Sequence, residues 1–392
     1  MGALDYLKDE VATLRTQGLL LHPRTLEGMT GARARFDGRD VINLASNNYL
    51  GLASHPRMNR AAADAAMRFG AGSGAVRTIA GSMTMHRELE ERFATFKHAE
   101  SALMFQSGFT ANAGTVAAIL SKEDVIVSDQ LNHASIIDGA RLSRAEIKVF
   151  PHRDAEAAGV LLAETARPGR RQLLITDGVF SMDGDIAPLP DLVEVAERYE
   201  AIMMIDDAHA SGVLGTGGAG TVDHFGMHGR VDIQVGTLSK AIGVLGGFIA
   251  GPPHLTEWLQ NRGRPYLFST SAPPAVVAAC IEALAIIEDE PDRLARLWSN
   301  TEVFKRGLHD LGFDTGTSES PITPVITGDE EVTQTFARRL FDEGVFCPAI
   351  VFPTVGRGLA RVRTIVTADH TEDDLREALE TFAKVGEELG LR

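Results

Sequence analysis

Gly236-Thr-Leu-Ser-Lys240-Ala-Ile-Gly243 follows directly on the apolar run Val231-Asp-Ile-Gln-Val235, so a polar, lysine-bearing turn sits at the end of a strand-like segment. A lysine at the mouth of a buried strand can lose its charge through desolvation and become a nucleophilic amine suited to Schiff-base chemistry. Read alone, Lys240 is first a solvated loop lysine. Its meaning comes from the stretches before it.

The first of these is Ile205-Asp-Asp-Ala-His-Ala-Ser-Gly212, where an apolar run ends in two carboxylates with a histidine close behind. A carboxylate held against a pyridine nitrogen keeps it protonated, and the ring can then draw electrons from a substrate carbanion. Asp206 fits that role, and His209 fits as a hydrogen-bond donor to a phenolic oxygen of the same ring. Taken singly, Asp206 reads as a helix cap and His209 as a core histidine or metal ligand. In combination with Lys240, pyridoxal phosphate becomes the favoured partner.

Working outward, apolar runs at Ala102–Phe105, Val125–Val127, Gln172–Ile175, Ala201–Ile205 and Ile233–Val235 alternate with helical patterns such as Leu189–Tyr199. This predicts a mostly parallel, doubly wound α/β sheet, with ligands beyond the carboxyl ends of its strands. Ser107–Phe109, Asp129–His133, Asp177–Asp183, Asp206–His209 and Thr237–Lys240 each follow such a run and are expected to converge there. Upstream, Leu4, Leu7, Val11 and Leu14 mark an amphipathic helix, and Gly31–Leu44 reads as a hairpin turning at Asp37-Gly38. Phe69–Ser82 carries too many glycines for a regular element, and Met85, Leu89, Phe93 and Phe96 share a helical face. A helix is expected from Pro273-Pro274 to Glu290. The resulting organisation is an N-terminal helix and hairpin (1–50), a large domain (51–285) and a smaller C-terminal α/β domain (286–392). No repeat or low-complexity linker interrupts it.

A length of 392 residues exceeds what one core usually fills, and a net charge of −15 disfavours nucleic acid and anionic membranes. The two cysteines, Cys280 and Cys347, lack CxxC spacing, so no disulfide framework or metal site is expected. Apolar stretches are too short to span a membrane, and the N-terminus lacks a signal-like run. A cytoplasmic enzyme is expected.

Asn47–Leu52, Ser128–Gly139, Thr176–Gly184 and Gly236–Lys240 together resemble, in order, the motifs of the α-oxoamine synthase family of fold-type I pyridoxal phosphate enzymes. That resemblance spans nearly the whole chain. It implies that Lys240 carries the cofactor and then removes the α-proton of an amino acid, that Asp206 pairs with the pyridine nitrogen, and that His133 stacks on the ring. Gly108, Phe109 and Thr237 would meet the phosphate, and Ser181 the cofactor. Ser269 and Thr270 would reach the phosphate of the neighbouring subunit, implying a homodimer with shared active sites; otherwise they are surface caps before Pro273-Pro274. Arg363 matches the arginine that takes the substrate carboxylate, with Arg361 as a nearby control. Asn47 and Thr354 are further substrate candidates.

The implied reaction condenses a small amino acid with an acyl-CoA thioester. Leu131–Leu142, Arg264–Phe268 and the Arg363 region resemble glycine C-acetyltransferases, making glycine plus acetyl-CoA the first expectation. Thr237–Lys240 and Phe268–Thr270 before Pro273-Pro274 resemble 8-amino-7-oxononanoate synthases instead, which join alanine to pimeloyl-CoA in biotin synthesis. An enzyme accepting both pairs, an aminotransferase and a non-catalytic cofactor-binding subunit are the remaining alternatives.

Overall fold

The computed structural model describes residues 2–392. Helix α1 (Tyr6–Thr16) leads to a hairpin of β1 (Arg33–Phe36) and β2 (Arg39–Asn43). Asp37 (φ 48°) and Gly38 (φ 77°) both take the left-handed conformation required by a tight two-residue hairpin turn. Helices α2 (Pro56–Phe69) and α3 (Thr84–Phe96) follow, separated by the glycine-rich stretch. That stretch is irregular except for one π turn over Arg77–Gly81, a difference from the expected loop. A Cβ on Gly81 would lie 2.2 Å from the Ala75 carbonyl oxygen, so only glycine permits this approach.

The chain then alternates: β3 (Ser101–Phe105), α4 (Gly108–Ile119), β4 (Val125–Asp129), α5 (Ala134–Ser143), β5 (Glu146–Phe150), α6 (Ala155–Thr165), β6 (Gln172–Asp177), α7 (Leu189–Arg198) and β7 (Ile202–Asp206). A short α8 (Thr221–His224), β8 (Ile233–Thr237) and β9 (Gly247–Gly251) complete a seven-stranded sheet of order β3-β9-β8-β7-β6-β4-β5. Only β9 runs antiparallel to its neighbours. Because side chains alternate across a strand, Leu173 and Ile175 join the cluster formed with α4 and α5, while Leu174 joins the cluster of α6 and α7. Burial on both faces explains the unbroken apolar runs. β5 and β9 escaped the sequence reading, β5 because charges alternate along it and β9 because glycines dilute it.

Beyond the sheet lie α9 (Pro253–Arg262), α10 (Arg264–Leu267), α11 (Pro274–Asp289) and α12 (Asp292–Asp310). The chain ends with β10 (Ile322–Gly328), α13 (Glu330–Asp342), β11 (Val345–Phe346), β12 (Ala349–Ile350), β13 (Ala360–Ile365) and α14 (Glu372–Glu388). β13 lies between β10 and β12, antiparallel to both, and β11 pairs with β2 of the N-terminal hairpin. Ile42 and Leu44 accordingly share a core with Phe304, Phe336, Val362 and Phe382. Each such buried side chain contributes ~1.5–3 kcal/mol, so this core firmly holds the strand that carries Arg363. Among the described residues no helix is long and apolar enough to cross a membrane.

Candidate active site at the carboxyl ends of the strands

The segments following β3, β4, β6, β7 and β8 enclose a cavity of about 250 Å³, lined among others by Gly108, His133, Asp206, His209, Thr237 and Lys240. Phe109 and Ser181 complete the predicted group, joined by Asp177 and Ser239. Asp129 belongs to the framework instead, its carboxylate taking the Leu131 and Arg153 N–H groups at 2.8 and 2.9 Å. Three larger clefts elsewhere lack this convergence of amine, carboxylate and imidazole.

One end of the cavity is built for an anion. Ser107 caps α4, its Oγ accepting from the Thr110 N–H at 3.1 Å, and the first-turn N–H groups of Gly108 and Phe109 have no partner within the helix. Helix N-termini attract phosphate through these groups and the helix dipole. Thr237 Oγ1 and Ser239 Oγ, 2.8 Å apart, add hydroxyls to the same cavity. The approach is tight, because a Cβ on Gly247 would lie 2.5 Å from the Gly108 nitrogen. Gly247→Ala is therefore expected to displace the start of α4 and weaken pyridoxal phosphate binding at least ~10-fold, the loss of roughly one charge-assisted hydrogen bond. Fluorescence titration of the cofactor-free variant checks this; an unchanged Kd contradicts it.

The other end holds a carboxylate. Asp206 accepts from Asn112 Nδ2 at 2.6 Å and from the Ala208 N–H at 2.8 Å. The same Asn112 amide donates to Ser135 Oγ at 2.9 Å, and Ser135 Oγ lies 2.7 Å from His133 Nδ1. One buried amide thus fixes both the carboxylate and, through Ser135, the imidazole. Tyr49 OH lies 2.7 Å from His209 Nδ1. Burial pushes the Tyr49 phenol up, so it stays protonated and donates, which places the His209 proton on Nε2. Burial, reinforced by the charges of Lys240, Arg363 and His133, holds His209 well below the usual histidine range. His133 is lowered by burial, with Asp206 opposing and Lys240 adding.

Burial brings Lys240 down to about 8 against the attraction of Asp206 and Asp177, so about a tenth of it is neutral at pH 7, far more than for an ordinary lysine. Asp177 is shifted the other way, well above the carboxylate range, by burial and by Asp206. An amine poised as a nucleophile, a pre-oriented carboxylate, two imidazoles and an anion cradle form a donor set that fits pyridoxal phosphate.

Arg363 Nη1 donates to the Ser181 carbonyl at 3.1 Å, its Nε is buried without a partner, and burial lowers its pKa. Arg361 is instead committed to the Asp183 carboxylate and the Met182 and Leu359 carbonyls. Of the two, Arg363 is the one with an open Nε and no carboxylate partner, although it does not itself line the cavity.

The Ser181 turn is braced from behind by His152, whose Nδ1 and Nε2 meet Asp129 and Asp185 at 3.0 and 2.8 Å. Burial opposes the charge of this ring, but the two carboxylates prevail and its pKa is pushed up to about 9. A raised histidine stabilises the fold fully below its unfolded pKa of ~6.5 and ceases to do so as pH rises through 9. A contribution on the order of 2–3 kcal/mol should fade across that window. Urea unfolding at pH 6 and pH 9.5 should show this decline, and it should be absent in His152→Gln; equal declines in both proteins would contradict the assignment.

Asn47 is half-buried with an unpartnered Oδ1, and Thr354 is exposed; neither lines the cavity. Ser269 and Thr270 lie outside the lining too, with the Thr270 carbonyl accepting from Gln106 at 3.0 Å. They do not cap α11, whose N-cap is Pro273. Asn112, Ser135 and Tyr49 were not assigned from sequence. A lone asparagine within the apolar Gly108–Ile119 helix was the available signal for the first, and Tyr49 stood inside a quoted motif.

The profile described as aminotransferase class I and II matches residues 39–382. Similar curated proteins include the 8-amino-7-oxononanoate synthase of Symbiobacterium thermophilum, 57% identical over 100% of both chains. 8-Amino-7-oxononanoate synthase 1 of Bacillus subtilis is 53% identical over 99% of this chain and 98% of its own. Among solved structures, serine palmitoyltransferase from S. paucimobilis with a bound pyridoxal phosphate–myriocin adduct matches with a TM-score of 0.93. It is 31% identical and covers 99% of this chain and 98% of its own.

These relatives overturn the expectation of a glycine C-acetyltransferase. Parts of the stretches that suggested it are framework: Asn132 spends its side chain on the Ile175 carbonyl and the Asp177 N–H, and a Cβ on Gly139 would lie 3.0 Å from the Ala113 Cα. Residues that only hold the site together cannot report acyl-chain length. With this donor set, this sheet and these relatives, the chain belongs to the class I and II aminotransferase family of fold-type I pyridoxal phosphate-dependent enzymes, and within it to the α-oxoamine synthase type.

Proposed function

We propose that the chain is an 8-amino-7-oxononanoate synthase, condensing alanine with pimeloyl-CoA in biotin synthesis. The observation that carries this reading is full-length identity of 57% to a curated protein of that name, together with an Arg363 whose Nε has no partner and whose charge acts on Lys240 and His209. A carbon–carbon bond forms between the amino-acid α-carbon and the thioester carbonyl, the C–S bond breaks, and CoA leaves. Alanine and the pimeloyl group together carry one carbon more than the nonanoate product, and that carbon leaves as carbon dioxide.

When bound, pyridoxal phosphate supplies an aldehyde that links to amines and a protonated ring that withdraws electrons from the bond breaking at the α-carbon. Lys240 would be the covalent anchor, and its Nζ, once free, would take the α-proton. Asp206, held by Asn112 and Ala208, keeps the ring nitrogen protonated. His209 would offer its Nε2 proton to the phenolic oxygen, and His133 would lie against the ring. Gly108, Phe109 and Thr237 would hold the phosphate, and Ser181 would contact the cofactor. Ser269 and Thr270 serve the site of a second copy, so the working unit is a homodimer. Arg363 takes the substrate carboxylate, and Asn47 offers its open carbonyl oxygen to substrate.

Arg363→Ala is expected to raise the KM for alanine roughly 10²–10³-fold, the value of two charge-assisted hydrogen bonds, with a smaller change in kcat. Steady-state rates across alanine concentrations check it, and an unaltered KM would remove Arg363 from the carboxylate. The reaction itself is tested with alanine labelled at its carboxyl carbon. Labelled carbon dioxide should appear in step with CoA thiol only when pimeloyl-CoA is present. Thiol release from pimeloyl-CoA without labelled carbon dioxide would overturn the proposal.

A further inference from the structure

Away from the cavity, His98, Asp223 and His228 place two imidazole nitrogens and a carboxylate oxygen within 4.8 Å of one another. The Nε2 atoms of His228 and His98 lie 2.9 and 3.7 Å from the same oxygen, Asp223 Oδ1. Donors around a tetrahedral ion with ~2.0–2.1 Å bonds lie ~3.4 Å apart, and the two observed separations bracket that value. The rings meet edge to face with centroids 4.7 Å apart.

The arrangement is held from beneath. His98 follows Lys97, whose buried ammonium meets Asp207 Oδ2 at 2.7 Å. The same Asp207 oxygen accepts from the Thr221 N–H, at the start of α8, at 3.0 Å. One buried carboxylate therefore anchors both segments that bring the candidate ligands together. Asp223 commits its second oxygen to the Thr216 N–H at 2.5 Å, leaving Oδ1 to face the imidazoles. His98 itself holds φ at 50°, a left-handed conformation uncommon outside glycine. The histidine side chains are 55% and 39% exposed, which leaves the outer coordination positions open to water.

We propose that His98, Asp223 and His228 form a binding site for a borderline divalent cation of the Zn²⁺ class, with water completing a four-coordinate shell. Two nitrogens and one carboxylate select such ions over Mg²⁺ and Ca²⁺, which prefer all-oxygen shells. The ion ties the end of α3 to α8 across the Lys97–Asp207 pair. None of the three ligands lines the cavity, so the site is structural and independent of the proposed synthase reaction. No sequence spacing announces it, because His98 lies far along the chain from the other two.

The test is calorimetric titration of Zn²⁺ into untagged, chelator-treated, cofactor-loaded protein. One equivalent per chain should bind, and His98→Asn and His228→Asn should each weaken that equivalent at least tenfold, while His22→Asn leaves it unchanged. Co²⁺ titrated into the unsubstituted protein should give the intense visible absorption of four-coordinate cobalt, a readout that does not depend on any variant folding. Failure of that band to appear, or Zn²⁺ binding that survives both substitutions, would overturn the site. Magnesium binding as tightly as zinc would overturn the assigned class.

Discussion

Lys240→Ala is expected to lower CoA release by at least ~10⁴-fold, because one side chain serves as both covalent anchor and α-proton base. The Nζ has a lowered pKa, about 8, because it is buried, and among the described residues no other amine lines the cavity. His133 and His209 have lowered pKa values too, but the bonds at their Nδ1 atoms fix their orientations and leave neither free to replace a flexible amine. Turnover is measured as thiol release with alanine and pimeloyl-CoA, with and without added methylamine. Full activity in the absence of the amine would contradict the role; partial recovery with it would support the lysine as base.

Asp206→Asn is the second large effect, an expected fall of ~10²–10³ in kcat, the usual loss when one preorganised electrostatic partner is removed. The shape is nearly conserved, yet the negative charge that keeps the ring nitrogen protonated is gone. Asparagine also brings a second amide against Asn112 Nδ2, which now donates to Asp206 at 2.6 Å. One of the two amides must turn, loosening the link through Ser135 to His133. The phosphate end is untouched, so cofactor affinity should change far less than kcat. Variant and parent kinetics, set beside cofactor titrations, separate these effects. A kcat within threefold of the parent would remove Asp206 from the mechanism.

The sheet was legible because its central strands are buried on both faces and so read as apolar runs, each ending where chemistry begins. Lys240, Asp206 and His209 stood out because polar residues directly after such runs are placed at one rim by the parallel topology. The strands β5 and β9 were hidden by charge alternation and by glycine. The supports of the site were hidden for a different reason. Asn112 reaches Asp206 from a neighbouring helix, and Tyr49 reaches His209 from a separate loop, so their roles depend on long-range packing that no local pattern records. The amino-acid and acyl preference was misread because the motifs compared, such as Asn132 and Gly139, hold backbone and helices together rather than touch the acyl chain.

The most direct test of the synthase assignment is kcat/KM for CoA release by cofactor-loaded protein with alanine plus pimeloyl-CoA, beside glycine plus acetyl-CoA. Preference for the first pair by at least ~10²-fold, within reach of differences in chain-length burial and carboxylate recognition, is the predicted result. Equal rates, or preference for the second pair, would contradict it.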